Sequence, residues 1–124
     1  MKVTSTTKAP GAIGPYSQAI SANGFLYCAG QAGRVPETGK MAEGGSQGQT
    51  DQACKNVGGL LEANGLGYED VIKTTCYLAD IADFNAFNEI YAKYFTGKPA
   101  RTCISAKDLP AGALCEIEVI GVLK

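Results

Sequence analysis

Apolar residues recur at helical spacing in two segments of the chain. In residues 47–64 they stand at i, i+4, i+7 and i+8 counted from Ala53, and Asn64-Gly65 offers a left-handed stop after them. The pattern predicts an amphipathic helix with one face on a core. Gly58-Gly59 lies inside this segment, and because glycine is unfavourable in a helix interior, the pair indicates close packing against a sheet.

A second helix is predicted to begin after Asp83, a suitable N-cap, and to end at Gly97 and Pro99. Its aromatic residues share helical spacing and form one stripe: Phe84, Phe87, Tyr91, Tyr94 and Phe95. Such a stripe is typical of a helix face buried in a core, and we interpret it in that way.

Short β-prone segments account for most of the remaining chain. Residues 17–29 predict a hairpin around Asn23-Gly24, residues 71–78 predict one strand, and residues 100–106 and 113–123 predict two more. Residues 31–48 are rich in glycine and predict a surface loop. With two helices for about six strands, we expect the helices to cover one face of a mixed sheet, which is an α+β fold.

Strand alternation then assigns polar residues to the uncovered face of the sheet. In the strand 100–106 the side that carries Ile104 suits the core, so Arg101 and Cys103 are predicted on the uncovered face. The same alternation in the last strand sends Glu116 and Glu118 to that face. Because aliphatic residues lie there too, the face indicates a subunit interface with a polar cleft. A structural ion pair between Arg101 and Glu116 is the alternative interpretation.

Composition limits the chemistry that this fold can perform. A chain of 124 residues fits one domain, residues 1–124, and a net charge of −1 gives no basic field that would favour nucleic acid. The sequence contains no histidine, which excludes Ser-His-Asp and Cys-His mechanisms and histidine-ligated metal sites. Any general base is therefore Glu, Asp, Lys, Tyr or Cys.

The five cysteines point to a reducing compartment. They form no CxxC pair, and an odd number cannot all pair within one chain. The first residues have neither the apolar core of a signal peptide nor an arginine-rich amphipathic pattern, and no stretch is apolar enough to span a bilayer. We therefore expect a cytoplasmic protein without membrane contact, and an organelle is not excluded.

Five segments of the chain carry specific motifs: GAIGPYSQAI (11–20), LYCAGQ (26–31), the run DVIKTTCYLADIADFNAFNEIYAKYF (70–95), PARTCI (99–104) and CEIEVIGV (115–122). Together these segments resemble the RidA/YjgF family of reactive intermediate deaminases. The resemblance covers the whole chain, and the PARTC segment followed by LP and an EIE strand is its most specific part. It implies a chorismate-mutase-like α+β fold and a homotrimer with clefts between neighbouring subunits.

By resemblance, the activity is hydrolysis of enamine and imine intermediates such as 2-aminoacrylate to 2-oxo acids and ammonia, with no cofactor and no metal. Arg101 would bind the substrate carboxylate, for which its rigid fork of N–H donors is suited. Glu116 would orient or deprotonate the attacking water. Cys103 would line the cleft, and backbone groups near Cys103 and Gly30 would contact the substrate or that water.

Two further positions match the family's cleft, namely Tyr16 in GPYSQ and Asn88 in NAFNEIY. Tyr16 would close the cleft or lend a hydroxyl. Many relatives carry serine where Cys28 stands, which would alter one hydrogen bond at the pocket mouth. Proteins of this family are also labelled endoribonucleases or translation inhibitors, and a non-catalytic ligand-binding trimer is a third alternative. Scattered rather than clustered Lys and Arg argue against nucleic acid as a partner.

Overall fold

The computed structural model describes residues 1–124 and contains seven strands and two helices. In chain order they are β1 (Lys2–Thr4), β2 (Ala19–Ala22), β3 (Phe25–Cys28), β4 (Gln31–Ala32), α1 (Gly45–Glu62), β5 (Val71–Leu78), α2 (Phe84–Tyr94), β6 (Ala100–Ser105) and β7 (Cys115–Val122). The α+β prediction is confirmed, with seven strands in place of about six. Two strands fall where no strand was predicted: β1 precedes the predicted hairpin, and β4 lies in the segment that we predicted as a loop.

All seven strands belong to one sheet with the order β1-β2-β3-β7-β5-β6, and β4 also pairs with β7. Only β5 and β6, which α2 connects, run parallel. Both helices pack on the same face: α1 lies on β7 and against α2, and the Tyr91 hydroxyl of α2 lies 2.7 Å from Thr74 Oγ1 of β5. Neither helix combines the length and apolar character that crossing a membrane requires.

The apolar stripe of α1 is wholly buried against the sheet, as its spacing predicted, and burial of each leucine contributes about 1.5–3 kcal/mol. The glycine pair has a different role from the predicted one. A Cβ atom on Gly59 would overlap the Lys8 backbone, and one on Gly58 would overlap the Tyr68 side chain. The pair therefore lets the N-terminal segment and Tyr68, rather than the sheet, approach the helix.

The aromatic stripe of α2 is core, as predicted. Phe87, Tyr91 and Phe95 are buried, and the rings of the last two stack with their centroids 4.5 Å apart. The helix does follow Asp83, but the Asp83 side chain makes no capping bond. Asp80 accepts a hydrogen bond from the Ala82 amide at 2.9 Å instead, because a short 3-10 turn precedes the helix.

The faces of β7 are as predicted, whereas those of β6 are reversed. Parallel pairing sets Arg101 opposite Thr74 and Cys103 opposite Cys76, and both β5 residues are wholly buried under the helices. Arg101 and Cys103 therefore lie on the helix face, and Ile104, 48% exposed, lies on the uncovered face. The prediction was wrong because β6 is an edge strand, so its register with β5 outweighs the hydropathy of Ile104.

Candidate active site

A cavity of about 430 Å³ lies beside the uncovered face, between residues 10–18, residues 29–34 and the turn before β7. Three predicted site residues, Tyr16, Gly30 and Glu116, line it. The other lining residues are Pro10, Gly11, Ile13, Gly14, Pro15, Gln18, Ala29, Gln31, Ala32, Arg34, Met41, Pro110, Ala111 and Ala113. We refer to this cavity as the Glu116 cleft.

A bulge between β3 and β4 brings Gly30 against Glu116. The pairs Tyr27–Ile120 and Gln31–Ile117 bound it, so β3 and β4 advance four residues while β7 advances three. A Cβ atom on Gly30 would lie 2.9 Å from Glu116 Cδ, which is closer than real Cβ contacts come. A side chain at position 30 would displace the Glu116 carboxylate, and glycine lets that carboxylate lie against the backbone.

Glu116 is half-buried and carries the free carboxylate of the cleft. Burial raises the pKa of this carboxyl, and the negative charge of Glu118 raises it further. Glu118 itself accepts a hydrogen bond of 2.6 Å from the Tyr77 hydroxyl, whereas the Glu116 carboxylate takes part in no salt bridge and no side-chain hydrogen bond of the chain. Glu116 is thus a carboxylate with a raised pKa and free oxygens, as a general base requires.

Tyr16 forms part of the rim of the cleft and is 49% exposed. Its ring lies against Gly14, where a Cβ atom would be 3.4 Å from Tyr16 Cε2. The hydroxyl accepts only a long hydrogen bond, 3.4 Å from the Ile13 amide. The Tyr16 hydroxyl donates no hydrogen bond within the chain, so its proton is free to donate to a ligand.

A second group of residues surrounds Arg101 on the opposite face of the sheet. Arg101 Nη1 donates to Asn88 Oδ1 at 2.7 Å, so the two predicted substrate-binding residues are in contact. The guanidinium carbon lies 4.8 Å from the centroid of the Tyr91 ring and 5.6 Å from that of Phe84. We refer to these four residues, together with Cys103, as the Arg101 cluster.

The Arg101 guanidinium has no carboxylate partner, because the three salt bridges of the chain all involve lysines. The alternative of a structural Arg101–Glu116 pair within one chain is therefore wrong. Neutral contacts orient the fork and leave its charge uncompensated, which suits it to binding an anion. Arg101 also borders a separate cavity of about 380 Å³ with Tyr91 and Phe95.

Cys103 packs partly into the core beside Arg101. Burial raises the pKa of its thiol, and the nearby Arg101 charge offsets part of that effect. The thiol is thus protonated at neutral pH and is a poor nucleophile. The outer edge of β6 is unpaired within the chain, so the backbone around Cys103 has free hydrogen-bonding groups.

The predicted site residues thus form two groups instead of one. Tyr16, Gly30 and Glu116 meet in the Glu116 cleft, whereas Arg101, Asn88 and Cys103 meet on the helix face. The expectation that Arg101 and Glu116 share a face was wrong, because the register of β6 reverses its alternation. One chain therefore does not bring its guanidinium at position 101 to its own Glu116 cleft.

Sequence reasoning missed residues that line the cleft from the segments 31–48 and 107–112. Arg34 and Met41 pair in an isolated β-bridge, and Ala111 takes a left-handed conformation with φ of 58°. Glycine-rich composition alone favours a connector and gives no signal that Arg34 projects into a cavity. No group of three or more His, Cys, Asp or Glu side chains that could hold a metal ion comes together in the chain.

The fold defines a class of α+β proteins for which solved structures exist. The Escherichia coli YjgF gene product is 34% identical to this chain, with an alignment that covers 100% of each chain and a TM-score of 0.94. Escherichia coli TdcF, solved with bound serine, is also 34% identical over 100% of both chains, with a TM-score of 0.95. The mixed sheet with two helices on one face is therefore the YjgF architecture.

Sequence comparison identifies the family within this class. The family model described as Endoribonuclease L-PSP matches residues 6–123. Reactive Intermediate Deaminase A, chloroplastic, of Arabidopsis thaliana is 50% identical over 98% of this chain and 66% of its own length. The 2-iminobutanoate/2-iminopropanoate deaminase of Mus musculus is 48% identical over 98% of this chain and 90% of its own. The chain belongs to the RidA/YjgF/L-PSP family.

Proposed function

We propose that the protein is a 2-iminobutanoate/2-iminopropanoate deaminase, which hydrolyses enamine and imine intermediates to 2-oxo acids and ammonia. The observation that carries the proposal is the free carboxylate of Glu116 with its raised pKa, which lies against Gly30 in a small cleft. Membership of a family that contains deaminases of this name supports it. The rate acceleration that the protein must supply is modest, because imines hydrolyse unaided and mainly need to be oriented beside a positioned water.

The chemistry uses only water and the residues of the site. The enamine tautomerises to the imine, which takes a solvent proton on nitrogen, and water adds to C2 of this iminium while Glu116 accepts one water proton. Glu116 passes that proton to the nitrogen of the resulting carbinolamine. As the C–N bond breaks and ammonia leaves, the carbinolamine hydroxyl returns its proton to Glu116 and the C=O bond forms. Glu116 then releases the proton to solvent, so that one imine and one water give one 2-oxo acid and one ammonia. No redox change occurs, so the proposal includes no cofactor and no metal.

The site is completed, we infer, by a neighbouring copy in a homotrimer. Arg101, Asn88 and the Cys103 backbone of one copy would bind the substrate carboxylate, and Tyr16, Gly30 and Glu116 of the next would enclose C2. The opposite faces of the two groups support this arrangement, because neither group alone holds both the anion and the base. Three exposed apolar side chains of the uncovered face, together with the half-buried Ile120, supply the surface that an interface would bury: Tyr27, Ile104 and Val122.

The compartment proposed is the cytosol or an organelle with a reducing interior. All five cysteines are free, and burial raises the pKa values of Cys28, Cys54, Cys76 and Cys115. Thiols of this kind behave as small apolar core residues. The endoribonuclease alternative gains no specific observation, because the sequence has no histidine for acid–base cleavage.

The test is oxo acid formation from freshly generated 2-aminoacrylate, measured above its spontaneous hydrolysis. Glu116→Gln keeps the shape of the side chain and removes the base, so kcat/KM should fall at least about a hundredfold. Glu37→Gln, an exposed carboxylate on the 31–48 segment, is the matched control and should keep wild-type activity. A wild-type protein that does not exceed the spontaneous rate would refute the proposal.

A further inference from the structure

Arg34 is the arginine that the chain itself contributes to the Glu116 cleft. The chain has only two arginines, and Arg34 lines the same cavity as Gly30 and Glu116. Ala32 of β4 pairs with Glu116, and Arg34 follows two residues later, so it continues on the side of the sheet that faces the cleft. The cavity therefore contains one carboxylate and one cation from the same chain.

A side chain of α1 fixes the backbone at Arg34 through two hydrogen bonds. Asn56 is wholly buried, and its Nδ2 donates to the carbonyls of Ala32 at 2.9 Å and Arg34 at 2.7 Å. Gln52 orients this amide by donating to Asn56 Oδ1 at 2.9 Å. The bridge to Met41 closes the other side. The backbone that carries Arg34 is thus fixed, so this segment does not have to become ordered when a ligand binds.

The guanidinium itself has no partner in the chain. Arg34 takes part in none of the three salt bridges, donates no side-chain hydrogen bond and stacks on no aromatic ring. Glu116 lines the same cavity but lies beyond ion-pair distance from it. A half-buried, uncompensated planar cation beside a proposed reaction centre is a binding group for a carboxylate of the ligand.

We propose that Arg34 binds a second, distal carboxylate of the substrate, so that, among imines of equal length, the protein prefers those of acidic amino acids. This inference rests on the proposed deaminase function and leaves the reaction at C2 unchanged. Arg101 of the neighbouring copy would bind the C1 carboxylate, and Arg34 would bind the carboxylate at the far end of the side chain. A cavity of about 430 Å³ lies within the usual range for small-ligand pockets.

The test compares two ligands that differ only at their far end. 2-Oxoglutarate ends in a carboxylate where 2-oxopentanoate ends in a methyl group, and each is titrated as a competitive inhibitor of 2-iminopropanoate hydrolysis. The imines generated from glutamate and from norvaline form the corresponding substrate pair. A charge-assisted hydrogen bond at Arg34 should make the dicarboxylate at least about tenfold better than its partner in both comparisons.

Substitution assigns that preference to Arg34. In Arg34→Gln the ratio of dicarboxylate to monocarboxylate should fall to about one, and Arg34→Lys should keep part of it. Lys40→Gln removes an exposed cation of the same segment and should leave the ratio unchanged. A wild-type protein that hydrolyses 2-iminopropanoate without preferring the dicarboxylates would overturn the inference alone, as would a preference that survives in Arg34→Gln. Failure to hydrolyse any imine would instead overturn the proposed function.

Discussion

The contacts of Arg101 are all with neutral groups, which suits the ligand-binding role proposed for it. Its guanidinium is oriented by Asn88 Oδ1 and by the faces of Tyr91 and Phe84, none of which neutralises it. A substrate carboxylate can therefore accept hydrogen bonds from the Arg101 guanidinium with both of its oxygens. An arginine in a structural ion pair would already have used that capacity.

Arg101→Ala is predicted to lower deaminase kcat/KM at least about a hundredfold, because two charge-assisted hydrogen bonds of about 1.5–3 kcal/mol each are lost. Arg101→Lys keeps the charge without the fork and should recover only a small part of the loss. Stability should fall by only about 0.5–1 kcal/mol, the value of the ring contacts. Retained activity with a large loss of stability, measured by steady-state kinetics and thermal unfolding, would contradict the assignment.

The raised pKa of Glu116 predicts how both kcat/KM and stability change with pH. Its pKa is raised above 4.5, and the base is active only when ionised, so the acid limb of kcat/KM should lie above pH 4.5. Because the pKa is raised on folding, the protonated Glu116 carboxyl contributes to the free energy of unfolding. This contribution is complete below pH 4.5 and is lost as the pH rises through the folded-state pKa. Glu116→Gln should therefore be at least as stable as the wild type at pH 7, while the acid limb disappears. An acid limb below pH 4.5 would contradict the burial argument.

The two helices are tied to each other by a hydrogen bond that also titrates. Tyr94 donates to Asp51 Oδ1 at 2.5 Å, and this bond, together with Lys55, lowers the pKa of Asp51 below its ordinary 3.8. A lowered pKa contributes stability above pH 3.8 that is lost as pH falls through the folded-state value.

Tyr94→Phe is accordingly predicted to lower the free energy of unfolding at pH 7 by about 1 kcal/mol, a value that allows for the partial exposure of the pair. The difference from wild type should shrink as pH falls below the range in which Asp51 is ionised. Tyr27→Phe is the control, since the Tyr27 hydroxyl makes no hydrogen bond within the chain. Denaturant titrations at several pH values measure both variants, and a pH-independent difference would argue against the Asp51 link.

At this scale the sequence predicts the elements with strong periodicity or turn chemistry. The apolar stripes of α1 and α2 specify both helices, and Asn23-Gly24, with φ of 54° and 87°, specifies the hairpin. The two residues of β4 are too few to show a hydrophobic alternation, and β4 forms only because it pairs with β7, which is distant in the sequence. The face of β6 is decided by its register with β5, which local hydropathy does not encode.

For the whole molecule, family membership follows from the sequence, whereas the division of the site does not. The motifs predict which residues matter, but only the sheet assigns Arg101 and Glu116 to opposite faces. The position of Arg34 was missed for a related reason. Nothing in a glycine-rich segment predicts that Asn56 donates a hydrogen bond to the Arg34 carbonyl and holds this residue beside the cleft.

The homotrimer is predicted to persist at micromolar concentration, because the uncovered face would otherwise expose the apolar side chains of Tyr27, Ile104 and Val122 to water. Ile104→Glu puts a charge on that face and should shift sedimentation toward the monomer. Ile81→Glu is the control, because Ile81 is an exposed isoleucine outside the sheet. A wild-type protein that sediments as a monomer would contradict the interface.

The composite site is tested most directly by mixing two inactive chains. Arg101→Ala and Glu116→Gln chains, co-expressed with different tags and purified through both, give trimers that each contain the two kinds of subunit. If Arg101 and Glu116 act across an interface, one of the three clefts has both wild-type groups, and about a third of wild-type activity should return. Activity no higher than that of either parent, in trimers verified as mixed, would contradict a site shared between copies.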